Sequence, residues 1–207
     1  MIEQSIDLQP FLPHEKVREI LGDFERSIDL CIPALMARPQ YNRKYGFPYI
    51  TKECAQALSA LIGSEPTLDA GSGTGFISQE LCRLNPKAQV VAAEWDGEKG
   101  YGFTEIFKRD HHGDAVALLP GPFRFVLLSW PNYDSPFALN VANAMAPGQI
   151  LIYQGEHQGG CTANDEFFEV LEREWDLLPK PTSTLNQHHH QFAAIHDVWM
   201  VLQKQTP

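Results

Sequence analysis

The sequence predicts an α/β protein: a mostly parallel sheet with helices packed on both faces. Three observations carry this. From residue 66 onward short apolar segments alternate with helix-like ones, the pattern of repeated strand–helix–strand units. Phe125-Val126-Leu127-Leu128 is apolar at every position, as expected of a strand buried on both sides. The segment Thr67-Leu68-Asp69-Ala70 runs straight into glycines and then into an amphipathic stretch, a strand turning into a helix.

Taken in order, residues 14–37 read as helical. Val17, Ile20, Leu21, Phe24, Ile28 and Leu35 recur at helical spacing, with Gly22 and Pro33 as breaks or kinks. Residues 38–51 form a polar, aromatic stretch with Pro39 and Pro48. Thr51 suits the cap of a helix reaching Leu61. Strands are expected at 67–70, 89–93, 125–128, 150–153 and 198–202. Helices are expected at 76–84, 136–145 and 165–174, with a short helical turn at 115–119. Asn164 or Thr162 caps the helix at 165. In such a sheet ligands bind beyond the C-terminal strand ends. The positions to inspect are therefore 69–75, 94–96, 112–114, 129–134 and 154–160.

The bulk numbers narrow the function. The chain has 207 residues, 43 % apolar and 20 % charged, ordinary for a globular domain. Its formal charge of −10 argues against a nucleic-acid substrate, whose binding draws on cationic surface. Arg38, Arg43, Lys44 and Lys52 are the notable basic cluster. No apolar run approaches the ~20 residues that span a bilayer. Met1-Ile2-Glu3-Gln4 lacks a secretion-signal pattern, so a cytoplasmic protein is expected. None of Cys31, Cys54, Cys82 and Cys161 stands in a C-x-x-C pair, so reduced thiols are expected. The adjacent His188, His189 and His190 point in different directions on any regular backbone, so no metal site is expected.

The loop Asp69-Ala70-Gly71-Ser72-Gly73-Thr74-Gly75 is the most specific feature. Glycines permit close approach to the main chain, and the next helix start offers unpaired N–H groups. The dinucleotide pattern G-x-G-x-x-G fails in both registers: the third glycine would fall on Phe76 or on Ser78. A phosphate-cradling loop needs Gly-Lys-Ser or Gly-Lys-Thr, and no lysine is present. Glu94, at the end of the second strand, can accept hydrogen bonds from two ribose hydroxyls or can be a solvated strand-end acid. Trp95 can pack on a base or in the core.

The form D-x-G-x-G-x-G after a first strand resembles the first motif of class I S-adenosylmethionine-dependent methyltransferases. The resemblance implies a Rossmann-like, three-layer fold with a seven-stranded sheet. It implies S-adenosylmethionine as cofactor, with Asp69 at its amino group, Gly71, Ser72, Gly73, Thr74 and Gly75 around its amino-acid end and Glu94 on its ribose. It further implies Trp95 and Asp114 at the adenine, and Ser129 and Trp130 beside the cofactor. Trp130-Pro131-Asn132-Tyr133 falls where amino-group methyltransferases carry Asn/Asp-Pro-Pro-Tyr/Phe, but Trp130 replaces the polar residue. That departure turns the reading away from N-methylation of adenine, cytosine or glutamine. The blocks Tyr45-Gly46-Phe47-Pro48-Tyr49-Ile50-Thr51, Trp130 to Asp134, Gly155 to Thr162, Asp165-Glu166-Phe167-Phe168 and His196-Asp197 look like a group of methyltransferase-like proteins. That group implies a fold and not a substrate.

The expectation is thus a methyltransferase acting on a small molecule or a protein side chain, with residues 1–50 as a helical extension or lid and 51–207 as the cofactor-binding domain. Tyr49, Asn132 and Tyr133 are the expected acceptor contacts. Glu156, Asp134 and His196 are candidate bases, needed only if the acceptor must lose a proton; for Glu156 the alternative is capping the Gly159-Gly160 turn. Lys99 to Phe103 is a candidate lid. The alternatives are a catalytically silent binding module with the same fold, suggested by Trp130, and a nucleotide-dependent oxidoreductase, which the missing third glycine opposes.

Overall fold

The computed structural model describes residues 8–21, 31–95, 102–158, 160–192 and 195–206. Gly22, Phe24 and Ile28 of the expected first helix, Asp96, and Lys99 to Tyr101 of the expected lid lie outside them. The elements run α1 (His14–Leu21), α2 (Cys31–Tyr45), α3 (Lys52–Ile62), β1 (Thr67–Ala70), α4 (Phe76–Leu84), β2 (Val90–Glu94) and β3 (His111–His112). A 3₁₀ turn (Ala115–Leu118), β4 (Phe125–Ser129), α5 (Phe137–Ala144), β5 (Ile150–Glu156), α6 (Asp165–Glu174), β6 (Trp175–Leu177), α7 (Pro179–Gln187) and β7 (Asp197–Lys204) complete them.

One seven-stranded sheet has the order β3-β2-β1-β4-β5-β7-β6. Its first five strands are parallel, and β7 runs antiparallel to both β5 and β6. Side chains alternate between two cores. Phe125, Leu127, Ile150 and Ile152 join the core containing α3, α4 and residues of the N-terminal helices. Val126, Leu128, Leu151 and Tyr153 join the core containing α5 and α6. This two-sided burial is what a continuous apolar strand requires, and it makes the expected three layers. The N-terminal segment belongs to the first core, where Leu8, Tyr41, Tyr45 and Tyr49 are buried in the same cluster as Trp199.

The first stretch departs from the expected helix at 14–37. Where described it is two helices, and α2 continues through Pro39 to Tyr45. Proline removes an intrahelical bond and crowds the preceding turn. Packing outweighs that cost here. Tyr41 and Tyr45, one turn apart, are buried with ring centroids 5.0 Å apart, and Tyr41 lies 5.2 Å from Tyr49. Three elements lie outside the expected set: β3, β6 and α7. β5 extends to Glu156 because β7 pairs along its whole length, from Ile150 with Gln203 to Glu156 with Asp197. Gln154, Gly155 and Glu156 are therefore strand residues rather than loop. Among the described residues no helix is long and apolar enough to cross a membrane.

β1 sits between β2 and β4. The chain leaves β1 toward α4 on one face and leaves β4 toward α5 on the other. The two connections diverge, and a crevice opens between them at the C-terminal strand ends.

Candidate functional site

That crevice is a cavity of about 890 Å³. It gathers Asp69, Gly71, Ser72, Gly73, Glu94 and Trp95 from the β1–β2 side. Asp114, Ser129, Trp130 and Asn132 complete the predicted residues that line it. Thr74, Gly75, Tyr49, Tyr133, Asp134, Glu156 and His196 are not among its lining residues.

The glycine loop is stitched to the end of β2. Gly71 and Ser72 donate their N–H groups to the Ala93 carbonyl at 2.9 and 3.0 Å, and Gly75 donates to the Ser72 carbonyl at 2.8 Å. Gly73 donates to Glu94 Oε2 at 2.6 Å. Thr74 and Gly75 serve packing. Buried Thr74 donates its hydroxyl to the Tyr45 carbonyl at 2.7 Å, and its own carbonyl takes the Phe107 N–H at 2.8 Å. Gly75 has φ +77°, and a Cβ there would fall 1.6 Å from the Lys108 carbonyl oxygen. The last glycine of the motif is thus demanded by the 102–110 segment crossing the loop. Arg109 Nε reinforces that crossing with a 2.8 Å bond to the Gly73 carbonyl.

Asp69 is buried on the α4 face of β1 and accepts a 2.5 Å hydrogen bond from Ser78 Oγ. Burial raises its carboxyl to about 7; the Ser78 bond pulls the other way, and the Glu94 charge adds to the rise. Glu94 is the final residue of β2 and is also buried. Trp95 is 72 % exposed, so the cavity rim rather than the core is its place. Asp114 caps the 3₁₀ turn, accepting the Val116 N–H at 2.9 Å.

Beyond β4 the wall is built differently. Trp130 has φ +51°, uncommon for a non-glycine residue, and its N–H bonds the Gln154 carbonyl at 2.7 Å. Its indole Nε1 donates to Asp197 Oδ2 at 3.3 Å, and Gln154 Nε2 donates to the same oxygen at 2.9 Å. Ser129 Oγ donates to Gln154 Oε1 at 2.5 Å. Behind this relay His189 Nε2 stands 3.2 Å from Asp197 Oδ1, close enough for an ion pair but not aligned as a hydrogen bond.

Of the candidate bases, Glu156 is committed to structure. Its two oxygens accept the Cys161 N–H at 2.7 Å and the His196 N–H at 3.0 Å. Although burial opposes it, those bonds hold the carboxyl below its usual range. Glu156 thus ties the turn after β5 to the residue just before β7, while Gly159 of the Gly159-Gly160 turn lies outside the described residues. Asp134 and His196 are exposed, and Tyr133 is 45 % exposed. Tyr49 is a core residue whose hydroxyl donates to the Gln9 carbonyl at 3.1 Å. The three consecutive histidines diverge: the His188 carbonyl takes the Thr51 hydroxyl, His189 faces Asp197, and His190 packs edge-on to Tyr49 and Phe192. Among the described residues no three His, Cys, Asp or Glu side chains gather as a metal site.

Several wall residues carry no motif signal of their own. Phe137 and Asn140 come from the start of α5; Phe103, from the expected lid, and Thr162, from the expected block after β5, stand in the same wall. Gln154 and Asp197 could have been noticed as polar residues inside or beside apolar strands. Fold and cleft together define a doubly wound α/β protein with a cavity at the point where the strand order reverses.

No family model matches the chain, and neither does any curated protein. Solved structures similar to it include magnesium protoporphyrin IX methyltransferase (ChlM) from Synechocystis PCC 6803 with bound SAM. That match is 14 % identical, covers 92 % of this chain and 90 % of that one, and has a TM-score of 0.49. TnmH is 14 % identical over 73 % of this chain and 54 % of its own, with a TM-score of 0.47. The pyocyanin biosynthetic protein PhzM is 14 % identical over 87 % of this chain and 60 % of its own, with a TM-score of 0.48. The chain thus spans between half and two thirds of the length of the last two.

Proposed function

We propose that the chain binds S-adenosylmethionine in this cavity and is a methyltransferase acting on a small molecule or a protein side chain. The observation that carries the reading is the junction of the glycine loop with Glu94: a lysine-free loop after β1 and a carboxylate ending β2 meet in one cleft, 2.6 Å apart. The residues fit the cofactor. Ser72 Oγ is buried in the loop without a hydrogen-bond partner, an unmet polar group that a ligand's amino-acid end satisfies. A Cβ on Gly73 would meet only the Phe103 ring, at 3.8 Å, so the loop leaves a cradle open. In this reading Asp69 and Ser72 hold the amino-acid end, Glu94 takes the ribose hydroxyls, and Trp95 and Asp114 border the adenine.

The bound cofactor supplies an electrophilic methyl group on a positively charged sulfur. The chain's part is alignment and exclusion of water, by Phe47, Trp130, Pro131 and Phe137 along the wall. Among the described residues the carboxylates lining the cavity are Asp69 in β1, Glu94 at the end of β2 and Asp114 after β3. Beyond β4 and β5 the titratable lining group is Cys161, whose thiol is pushed up to about 11 by burial and by Glu156. In this reading the acceptor arrives with its lone pair available. Titration calorimetry with S-adenosylhomocysteine and with NAD tests the reading. One site for S-adenosylhomocysteine, in the micromolar range or tighter, is expected. Folded protein that binds neither, or that prefers NAD, contradicts it.

A further inference from the structure

Arg38, in α2, stands at the Trp130 wall in an unusual state. Its guanidinium carbon lies 5.0 Å from the Trp130 ring centroid and 4.7 Å from that of Phe192. Trp130 also stacks on Phe47, with centroids 6.2 Å apart and planes 17° apart. Phe47, Trp130 and Cys161 all line the cavity; Arg38 is not among its lining residues and borders it through the Trp130 ring. The acids that act on Arg38 are Asp197 and Glu156, at the start of β7 and the end of β5.

A guanidinium has five N–H donors in a rigid fork. Among the described residues Arg38 makes no hydrogen bond and no ion pair; its recorded contacts are the two rings. The two nearby acids already accept hydrogen bonds elsewhere, although Asp197 Oδ1 accepts none. Glu156 serves Cys161 and His196, and Asp197 serves Gln154 and Trp130. They offset the positive charge at a distance but leave the fork unmet. Partial burial works against the charged form, yet an arginine stays charged. No Arg38 nitrogen is among the buried atoms that lack a partner, so the fork stays reachable from outside the packed stem.

We propose that Arg38 recognises a carboxylate on the methyl acceptor and seats the acceptor's flat apolar body against Phe47 and Trp130. Calling the ligand the acceptor rests on the methyltransferase reading; the carboxylate site itself does not. A monoanionic carboxylate matches the fork bidentately. A phosphate dianion would meet the repulsion of Glu156 and Asp197, which disfavours it.

Benzoate, its uncharged isostere benzamide and phenyl phosphate are the probes. They are titrated into the full chain while the Trp130 indole N–H resonance is followed. S-Adenosylhomocysteine is titrated separately. Wild-type protein is expected to bind benzoate at least about tenfold more tightly than benzamide, the size of one charge-assisted bond. In Arg38→Met the two probes become equal, while affinity for S-adenosylhomocysteine stays within twofold. Arg38→Lys, which keeps the charge and loses the fork, falls between.

Equal binding of benzoate and benzamide by wild-type protein overturns the inference, and that comparison needs no variant. So does a loss of S-adenosylhomocysteine affinity in Arg38→Met as large as the loss of benzoate, because the guanidinium would then serve the cofactor's carboxylate. Tighter binding of phenyl phosphate than of benzoate overturns the choice of carboxylate. If S-adenosylhomocysteine fails to bind while benzoate still binds through Arg38, the cofactor reading falls and the carboxylate site stands.

Discussion

At the residue scale, Asp69 and Glu94 stand together at the β1–β2 end of the cleft. Glu94 spends one oxygen on the Gly73 N–H, so it shapes the loop before any ligand arrives. Asp69 is held by Ser78 and shifted by burial to about 7, so near neutral pH it is only half ionised. A ligand ammonium beside it favours the ionised form and lowers that pKa in the complex. Protons are then released on binding below about pH 7, and affinity rises with pH. Between pH 6 and pH 8 the affinity for S-adenosylhomocysteine is expected to increase about tenfold and then level off. In Asp69→Asn the affinity is lower and flat over that range. Calorimetry at the two pH values checks this, and a flat wild-type profile contradicts it. Both residues were legible in the sequence, as acids at the ends of apolar strands. The commitment of Glu156 was not. Its partners, the N–H groups of Cys161 and His196, come from 5 and 40 residues away, and no local pattern announces them.

At the element scale, legibility followed the source of each element's stability. β1, α4, β4 and α6 carry their own apolar patterning, with Asn164 capping α6, and the sequence placed them within a residue or so. α7 reads Pro-Lys-Pro-Thr-Ser-Thr-Leu-Asn-Gln, which looks like a loop. It is helical because its contacts are tertiary: Leu185 is buried, and the Asn186 side chain pairs with the backbone N–H and carbonyl of Trp199 at 2.9 and 2.8 Å. β3 is two residues long and exists through its pairing with Ala93 and Glu94. Propensity has no purchase on such elements. The glycine loop illustrates the opposite error. Its third glycine looked like part of the ligand cradle but belongs to the packing of the 102–110 segment. Gly75→Ala is therefore expected to be far worse than a ligand-contact mutation. Positive φ and collision with the Lys108 carbonyl together cost about 3 kcal/mol or more, lowering the melting temperature by roughly 10 °C. Calorimetric or dichroic melting of the variant checks it. An unchanged melting temperature would mean that the segment does not press on the loop.

At the scale of the whole molecule, two buried titrating groups set opposing pH slopes. Burial lowers His190 to about 4, so between about pH 4 and 6.5 the unfolded chain holds a proton that the folded chain lacks. Stability from this group rises with pH over that window. Asp69 does the reverse: between about pH 4 and 7 the folded chain holds a proton that the unfolded chain has lost, and stability falls. Each slope is at most about 1.4 kcal/mol per pH unit, so the two nearly cancel. Asp69→Asn is expected to expose the His190 slope, gaining about 2–3 kcal/mol from pH 4 to 6.5, and His190→Phe the opposite slope. Urea unfolding at both pH values measures this, and parallel profiles in the two variants contradict it. The global architecture itself was legible because the strand–helix alternation and two-sided burial are written into nearly every segment from residue 66 onward. The central claim is that one molecule of S-adenosylmethionine lies across the ends of β1, β2 and β4. A crystal structure with S-adenosylhomocysteine tests it most directly. Ribose hydroxyls are expected within hydrogen-bond distance of Glu94, the amino-acid end at Asp69 and Ser72, and the sulfur facing the Trp130 wall. A ligand bound elsewhere, or one in the cleft whose ribose does not touch Glu94, contradicts it.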